Sequence, residues 1–407
     1  MSDELRDLLT AVLPANRFYA SKFGAVDLHR AELHDLPFTT KAELLADQRE
    51  HPPYGTALTY NLSRYARMHQ TSGTTTGQPL RWLDTPESWR WMLGCWQRIF
   101  QLIDLRHDDR LFFPFSFGPF LGFWTAFESA VRDGHFVLPG GGMSSSARLR
   151  FLLDHEASVV FCTPTYALHL AEVAEKDRVD LPSSSVRMLV LAGEPGGNIP
   201  ATRRRIESAW GARVIDHSGM TEVGPVAVEP VDKPGCLVPL GDHYIAEVVD
   251  PKTGTATPDG TIGELVLTNL GRLGSPLIRY RTGDWVRPER GPDGHMRFVG
   301  GIIGRADDMI YLRGNNVYPS AIESIVRRFP EVAEYRVIVD RSEALAALRI
   351  EVECSDDGNG STVADQIEKA LRDELLFRAN VVGVPHGSLP RYEMKARRIV
   401  FTRIDAK

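Results

Sequence analysis

The strongest constraint on the fold is an alternation of strand-length and helix-length segments between residues 110 and 216. Stretches with helical spacing, around 145–155, 165–177 and 198–210, separate short runs of strand length. Those runs are Leu111–Phe115, Val159–Cys162, Met188–Ala192 and Arg213–Asp216. Strands and helices in alternation are typical of parallel βαβ units, so the sequence predicts an α/β fold with a parallel sheet.

The pattern changes twice after this region. Residues 244–286 contain alternating strands separated by turn residues, which predicts an antiparallel or barrel-like β subdomain. After Gly304, helix-like and strand-like stretches fill about 100 residues, a common domain size, and predict a compact α+β unit. We therefore expect a large N-terminal α/β part followed by a small C-terminal α+β part.

Charge and hydropathy exclude two kinds of partner. The 407 residues carry 47 Lys and Arg against 53 Asp and Glu, a net charge of −6, and contain no basic block, which disfavours nucleic acid. Residues 111–127 are uncharged, but Pro114 and Pro119 interrupt helical hydrogen bonding there. We therefore expect a buried strand and a turn leading into a helix, and no membrane partner.

Two features of the sequence indicate the cellular compartment, and they agree with each other. The N-terminus lacks the basic and apolar regions of a signal peptide. Four widely spaced cysteines without a CxxC pair suit free thiols in a reducing compartment. The sequence therefore predicts a cytoplasmic protein.

A run of hydroxyl and glycine residues, TSGTTTGQP over 71–79, is the strongest single motif. These residues pack poorly into helices or strands, but their backbone N–H groups and hydroxyls suit a loop that wraps a phosphate chain. A Ser/Thr/Gly linker is the alternative, although linkers rarely keep this order before a strand such as PLRWL. The loop is not a Walker A motif, because GxxxxGK[ST] is absent.

Six ordered segments resemble adenylate-forming enzymes, the acyl-CoA synthetase and luciferase superfamily. After TSGTTTGQP they are AGEP at 192–195, HSGMTE at 217–222, PLIRYRTGD at 276–284, GRADDMIYLRGNNVYPSAIE at 304–323 and PRYEMKARR at 390–398. LPFTTK at 36–41, GDHYIAEVVDP at 241–251 and RGNNVYP resemble the phenylacetate–CoA ligase branch. The resemblance covers nearly the whole chain, and six matches in order are far more specific than any one of them.

The resemblance implies a role for each matching residue. Thr221 would contact the α-phosphate of ATP, Glu222 would hold Mg²⁺, and Lys395 would bridge the attacking carboxylate and the α-phosphate. Asp284 would accept hydrogen bonds from the ribose hydroxyls, with Arg305 nearby. The other expected ATP- and AMP-binding residues are Thr71, Ser72, Gly73, Thr74, Thr75, Thr76, Gly77, Gly193, Glu194, Pro195, Asp216, His217, Ser218, Gly219 and Met220.

The resemblance also implies two domains and a rotation between two chemical steps. An N-terminal adenylation core over 1–306 would bind ATP and the acid, and a mobile C-terminal domain over 307–407 would carry the catalytic lysine. Asp307 matches the hinge position. After rotation, Arg313, Gly314 and Asn315 would help to form the channel for coenzyme A.

Three positions depart from the family pattern. Gln78 stands where lysine is usual in the phosphate loop, and Ser218 stands where a tyrosine usually stacks on adenine. His217 replaces an apolar residue, and it either substitutes in part for that tyrosine or is a packed, hydrogen-bonded histidine. These departures indicate a specialised member of the family with a narrow substrate range.

The acyl pocket is expected in the aromatic segment after the first core strand and at the turn that follows Met188–Ala192. Aromatic walls with few charges suit a planar acid, and ordinary aromatic core is the alternative. The expected lining residues are Phe115, Phe117, Phe120, Phe123, Trp124 and Ala192.

A structural zinc site is a further hypothesis. Four residues of permissible ligand type lie between 217 and 243, although their spacing matches no recognised finger pattern. They are His217, Glu229, Cys236 and His243. His243 also matches a histidine of the family pattern, so its presence has an explanation other than zinc binding.

We expect an ATP- and Mg²⁺-dependent ligase that joins a small aromatic acid to coenzyme A through an acyl-adenylate. One alternative keeps adenylation but uses a carrier-protein thiol, an amine or a nitrogen-oxide species as the acceptor. Another is a nucleotide-binding homologue without activity, which Gln78 and Ser218 favour and Lys395, Glu222 and Asp284 disfavour. A homodimer is compatible with the sequence.

Overall fold

The computed structural model describes residues 3–24, 26–27, 30–71, 78–312, 315–340, 347–355, 360–375, 377, 379–393 and 395–402. The chain divides into two compact units. The first comprises Met1–Gly141 and His217–Ile302, and the second comprises Gly142–Asp216 and Ile303–Lys407. Each unit therefore combines two separate stretches of the chain.

The bounds of the described elements follow the chain. The α-helices are α1 (Asp3–Val12), α2 (Arg17–Phe23), α3 (Lys41–Glu50), α4 (Pro86–Leu102), α5 (Trp124–Arg132), α6 (Ser145–Asp154), α7 (Pro164–Lys176), α8 (Pro200–Trp210), α9 (Pro319–Val326) and α10 (Gly360–Leu375). The strands are β1 (Arg67–Gln70), β2 (Arg81–Asp84), β3 (Arg110–Phe113), β4 (Phe136–Pro139), β5 (Val159–Cys162), β6 (Met188–Leu191), β7 (Arg213–Met220), β8 (Gly224–Val228), β9 (Cys236–Pro239), β10 (Tyr244–Val249), β11 (Gly263–Asn269), β12 (Tyr280–Val286), β13 (Pro288–Arg290), β14 (Met296–Val299), β15 (Gly304–Arg305), β16 (Ile310–Leu312), β17 (Asn315–Val317), β18 (Val332–Asp340), β19 (Ala347–Cys354), β20 (Asn380–Val384) and β21 (Ile399–Thr402).

Helix α4 shows how the sequence builds the first unit. Thr85 Oγ1 accepts a hydrogen bond from the Ser88 N–H, and Pro86 occupies the first helical position. The apolar stripe along the helix is buried, as its spacing predicts. It consists of Trp89, Met92, Leu93, Trp96, Phe100 and Ile103. Helix α4 contacts β2, α5 and β8, so it joins elements from both stretches of the unit.

Two antiparallel arrangements complete the first unit. Strands β10, β11 and β12 pair antiparallel in that order, which confirms the antiparallel subdomain expected over 244–286. Strands β13, β14, β9, β8 and the second half of β7 also pair antiparallel in that order. Within the first unit, β8 therefore holds the strand that contains HSGMTE through a hairpin, and β11 holds the strand that contains most of RYRTGD.

The second unit confirms both the βαβ prediction and the C-terminal α+β prediction. Strands β5, β6 and the first half of β7 run parallel and are connected through α7 and α8. The C-terminal part forms a sheet in the order β20, β19, β18, β21, whose central pair is antiparallel and whose outer pairs are parallel. Its core collects apolar residues from α9, α10 and the sheet.

The uncharged stretch over 111–127 forms most of β3, a turn and the start of α5, as the sequence predicts. Within the described ranges, no helix combines the length and the apolar character that crossing a bilayer requires. All four cysteines are free thiols.

A buried carboxylate on β18, Glu334, makes the second unit sensitive to acid. Its oxygens accept hydrogen bonds from Arg398 Nε (2.7 Å), Arg398 Nη2 (3.0 Å) and Arg327 Nη2 (3.3 Å). Burial by itself would raise the pKa of Glu334, but the two guanidinium groups outweigh it and lower the pKa to about 2. The stability that this group contributes is therefore complete above its ordinary pKa of 4.5 and is lost as the pH falls towards 2.

We expect the free energy of unfolding to fall by about 3 kcal/mol from this group alone over that pH window. Urea unfolding at a series of acidic pH values measures the effect. Glu334→Gln should be less stable at neutral pH and should show a correspondingly weaker dependence on pH. The exposed Glu331→Gln is the matched control and should keep the wild-type profile. An unchanged profile in Glu334→Gln would contradict the assignment.

Candidate active site

The base of the predicted phosphate loop closes between β1 and β2. The Thr71 N–H donates to the Leu80 carbonyl (3.0 Å), and the Leu80 N–H donates to Thr71 Oγ1 (3.0 Å). The Gln70 N–H donates to the Pro119 carbonyl (2.7 Å), which ties the base to the aromatic segment. Strand β2 is the strand expected after the loop. The remaining predicted loop residues, Ser72, Gly73, Thr74, Thr75, Thr76 and Gly77, lie outside the described residues.

The segment HSGMTE lies on a hairpin that the sequence did not predict. The expected strand Arg213–Asp216 continues as far as Met220, and β7 then turns into β8 through Thr221, Glu222 and Val223. The pairing register shifts between Ser218 and Gly219. Such bulges bend a strand and redirect side chains, and they are frequent next to active sites.

A buried arginine, Arg272, holds the turn at Thr221 and Glu222. Its Nη1 donates to the carbonyl oxygens of Thr221 (3.0 Å) and Glu222 (2.9 Å). Its Nε and Nη2 donate to the two carboxylate oxygens of Asp84, each at 2.7 Å. Both side chains of the ion pair are fully buried. A planar guanidinium with four acceptors in fixed directions therefore fixes the turn relative to β2.

Strand β12 connects the predicted Mg²⁺ ligand with the predicted ribose ligand. The Tyr280 hydroxyl donates to Glu222 Oε1 at 2.9 Å. Tyr280 and Asp284 are four positions apart on β12, where buried and half-buried positions alternate, and both belong to the buried set. Both carboxylates are buried. A carboxylate oriented in this way suits Mg²⁺, which proteins usually bind through one or two carboxylates together with substrate phosphates.

The structure does not bring the four proposed zinc ligands together. The proposed ligands were His217, Glu229, Cys236 and His243, all of which are described. Among described residues, no group of three or more His, Cys, Asp or Glu is arranged to hold a metal ion. His217 Nδ1 is instead 2.9 Å from the Ala227 carbonyl oxygen, and Glu229 Oε1 accepts a hydrogen bond from the Gly235 N–H (3.2 Å). Ligand type alone was insufficient, because His217 and Glu229 form hydrogen bonds with the backbone instead.

Most of the predicted acyl-pocket residues form one aromatic cluster in the first unit. Neighbouring rings in it have centroids 4.4 to 5.8 Å apart. The cluster consists of Phe115, Phe117, Phe123 and Trp124. Phe120 packs separately, with its ring over Gly118 and Gly122. Phe115 and Phe123 are buried, whereas Phe117, Phe120 and Trp124 are half-buried. The segment is tied to the hairpin turn, because the Leu121 N–H donates to Thr221 Oγ1 (3.4 Å).

In the second unit, Glu194 of the AGEP motif joins two distant segments. Its Oε1 accepts from the Thr165 N–H (2.9 Å) at the start of α7, and its Oε2 accepts from the Ala396 N–H (2.7 Å). Gly193 has a φ of 98°, and a Cβ at that position would lie 3.2 Å from Lys395 Cε. The lysine side chain therefore passes over a residue that favours glycine both for its backbone conformation and for its small size. Ala192 and Pro195 flank these two residues.

The loop that carries Lys395 is fastened on both sides of the lysine. Arg391 donates to Glu172 Oε2 on α7 (3.0 Å) and to Glu353 Oε1 on β19 (2.6 Å). Arg148 on α6 donates to Glu393 Oε2 (3.0 Å). These charge-assisted bonds hold the segment 390–398 against α6 and α7 within the second unit.

The other predicted residues of the second unit lie on its strands or directly after one. Asp216 accepts a hydrogen bond from Asn198, and a Cβ at position 197 would overlap its carboxylate, so glycine is required there. Arg305 ends β15, and Asp307 lies in the single 3₁₀ turn over 306–308 that follows. Asn315 begins β17. The predicted channel residues Arg313 and Gly314 lie outside the described residues.

Two supporting residues of the first unit belong to no predicted motif. Asp84 is the last residue of a short strand, and Arg272 stands in the polar segment GRLGSP. Nothing in their local sequence indicates burial or a common function. Their pairing across 188 positions of the chain is visible only in the folded protein.

Two family models match most of the chain. Residues 43–271 match the family described as AMP-binding enzyme, and residues 314–403 match the AMP-binding enzyme C-terminal domain. The phenylacetate-coenzyme A ligase of Pseudomonas putida is 31% identical over 401 residues, which cover 95% of this chain and 90% of that protein. The phenylacetate-coenzyme A ligase of Escherichia coli (strain K12) is 32% identical over 400 residues, which cover 94% and 89%.

A solved structure extends the similarity to three dimensions. The 2-hydroxyisobutyryl-CoA ligase in the postadenylation state, in complex with 2-HIB-AMP, matches with a TM-score of 0.91 at 28% identity. The match covers 98% of this chain and 88% of that one. The same ligase with 2-HIB-AMP and CoA in the thioesterification state matches with a TM-score of 0.72 over the same shares of the two chains.

Proposed function

The chain belongs to the AMP-binding enzyme family, and from that premise we propose that it joins a small aromatic carboxylic acid to coenzyme A at the expense of ATP. In the first step, a carboxylate oxygen bonds to the α-phosphorus, the bond to the β-phosphate breaks, and pyrophosphate leaves. In the second step, the thiol loses its proton and its sulfur bonds to the acyl carbon, while the bond to AMP breaks. The family's phenylacetate-coenzyme A ligases support this reaction.

The observation that carries the proposal is the placement of Lys395. The lysine lies over Gly193 on a loop that Glu194, Arg148 and Glu172 hold in position. Negative charge develops on the phosphate during adenylation, and a cation that is already in position stabilises it without reorganisation. A lysine on a docked loop, directly at the AGEP turn, meets that requirement.

The first unit supplies the expected partners for the nucleotide. Thr221 would contact the α-phosphate, Asp284 would accept hydrogen bonds from the ribose, and Glu222, oriented by Tyr280, would hold Mg²⁺. The ion would neutralise part of the phosphate charge. Arg272 supports this assignment, because it fixes the backbone from which both Thr221 and Glu222 project.

The aromatic cluster supports an aromatic acid as the substrate. Rings with few charges around them favour a flat, weakly polar ligand. The cytoplasm is the compartment in which we place the reaction, since the four free cysteines suit reducing conditions. A homodimer stays a prediction.

We expect the protein to release pyrophosphate from ATP with at least one acid from a panel of benzoates and arylacetates. Adding coenzyme A should then give the thioester, which mass spectrometry identifies. Pyrophosphate release without thioester would instead support a carrier-protein thiol, an amine or a nitrogen-oxide species as the acceptor. ATP binding without pyrophosphate release for any acid would support the inactive nucleotide-binding homologue.

A further inference from the structure

His217 lies beside the aromatic cluster, in a position that the nucleotide-binding prediction does not explain. It is on β7 opposite Val228, and it is buried. Its ring centroid is 4.6 Å from that of Trp96 and 6.3 Å from that of Phe123, which belongs to the cluster. The imidazole therefore packs beside Trp96 of α4 and adjoins one ring, Phe123, of the cluster expected to hold the acid.

The hydrogen bond to the backbone determines which nitrogen of His217 carries the proton. Nδ1 is 2.9 Å from the Ala227 carbonyl oxygen, which can only accept a hydrogen bond. Nδ1 therefore donates. Burial lowers the pKa of His217 to about 4, although the bond to Ala227 opposes this shift, so the ring is neutral at neutral pH. Nε2 consequently presents a lone pair and acts only as an acceptor.

Nε2 is available to a ligand. No described residue forms a hydrogen bond with Nε2. The nitrogen is also not among the fully enclosed polar atoms that lack a partner, so part of its surface is accessible. A Cβ at position 219 would lie 3.4 Å from Nε2 and 2.8 Å from the Gly224 carbonyl oxygen, so only glycine fits where β7 passes β8 beside the ring. The bulge at Ser218–Gly219 is the local irregularity that brings the backbone past the ring in this way.

We propose that His217 Nε2 accepts a hydrogen bond from a hydroxyl or amino group on the acid, so that the preferred substrate is a hydroxy- or amino-substituted aromatic acid. This inference rests on the proposed function and names its substrate class. A neutral acceptor among aromatic rings selects for a donor, because an acid without one leaves the nitrogen desolvated and unpaired. The expected discrimination is about 10- to 100-fold in kcat/KM, the usual effect of one such buried bond.

The test compares matched acids in the pyrophosphate-release assay. Benzoates and phenylacetates with a hydroxyl or amino group at each ring position are compared with the methyl and fluoro analogues at the same position. Wild type should prefer the best donor acid over its analogues by about 10-fold or more in kcat/KM. His217→Leu should lose that preference, measured as the ratio of kcat/KM for the donor acid to kcat/KM for its methyl or fluoro analogue.

Two further variants separate recognition from structure. His217→Gln keeps both an N–H for Ala227 and an acceptor oxygen, so it should retain part of the preference. His135→Leu, at a half-buried histidine outside the cluster, should retain all of it. Thermal unfolding reports whether each variant is folded. The panel of acids assayed with the wild-type protein tests the inference even if a variant fails to fold.

The outcomes distinguish the two proposals. Pyrophosphate release from the panel without a preference for donor acids would overturn the inference and leave the proposed function standing. An unchanged preference in His217→Leu would also overturn it. Release from none of the acids would overturn the proposed function itself.

Discussion

Replacing Lys395 with alanine is expected to lower the rate of adenylate formation by about 100- to 1,000-fold, the usual effect of removing one preorganised group that stabilises developing charge. The loop around the lysine is fastened through Glu194, Arg391 and Glu393, so the substitution removes the ammonium without removing the anchors. Single-turnover formation of pyrophosphate measures the effect, and calorimetry should show that ATP still binds.

A second substrate separates the role of Lys395 from a general loss of structure. The alanine variant should still convert a chemically prepared acyl-adenylate and coenzyme A to the thioester, because the lysine is assigned to the first step only. Lys369→Ala, at an exposed lysine on α10, is the matched control and should behave as wild type in both steps. An unaffected adenylation rate in the Lys395 variant would remove this residue from the mechanism.

Replacing Asp84 with alanine is expected to lower the free energy of unfolding by about 3–5 kcal/mol, because it leaves the buried Arg272 without its counter-ion. Both side chains of the pair are fully buried, and the carboxylate accepts two of the guanidinium's hydrogen bonds. Urea unfolding measures the change. The matched control is Glu374→Ala in the exposed pair with Arg328, which should cost less than about 1 kcal/mol.

A double variant tests what the buried pair does besides stabilising the fold. Asp84→Leu with Arg272→Met replaces the ion pair by apolar side chains and should recover much of the lost stability. It cannot restore the hydrogen bonds to the carbonyls of Thr221 and Glu222, so the concentration of Mg²⁺ needed for half-maximal activity should be higher than in wild type. Wild-type Mg²⁺ dependence in this variant would show that Arg272 serves stability alone.

Local chemistry was sufficient to predict the elements with short-range causes. Thr85 and Pro86 start α4, and both signals lie in the local sequence, since a cap acts on N–H groups within one turn of itself. The proline-interrupted run over 111–127 forms a strand, a turn and a helix. The hairpin at HSGMTE was missed, because the extension of β7 to Met220 depends on its pairing with β8 and on a bulge at Ser218–Gly219.

The sequence by itself determined the α/β class, the antiparallel and α+β segments and the order of the six motifs. Periodicity, helix caps and motifs each depend on residues that are close together in the sequence. Only the tertiary structure decided which side chains meet. It showed that Arg272 pairs with Asp84, that Lys395 lies over Gly193, and that two of the proposed zinc ligands, His217 and Glu229, form hydrogen bonds with the backbone. The physical reason is that such contacts join residues far apart along the chain, and burial, not local pattern, sets their strength and direction.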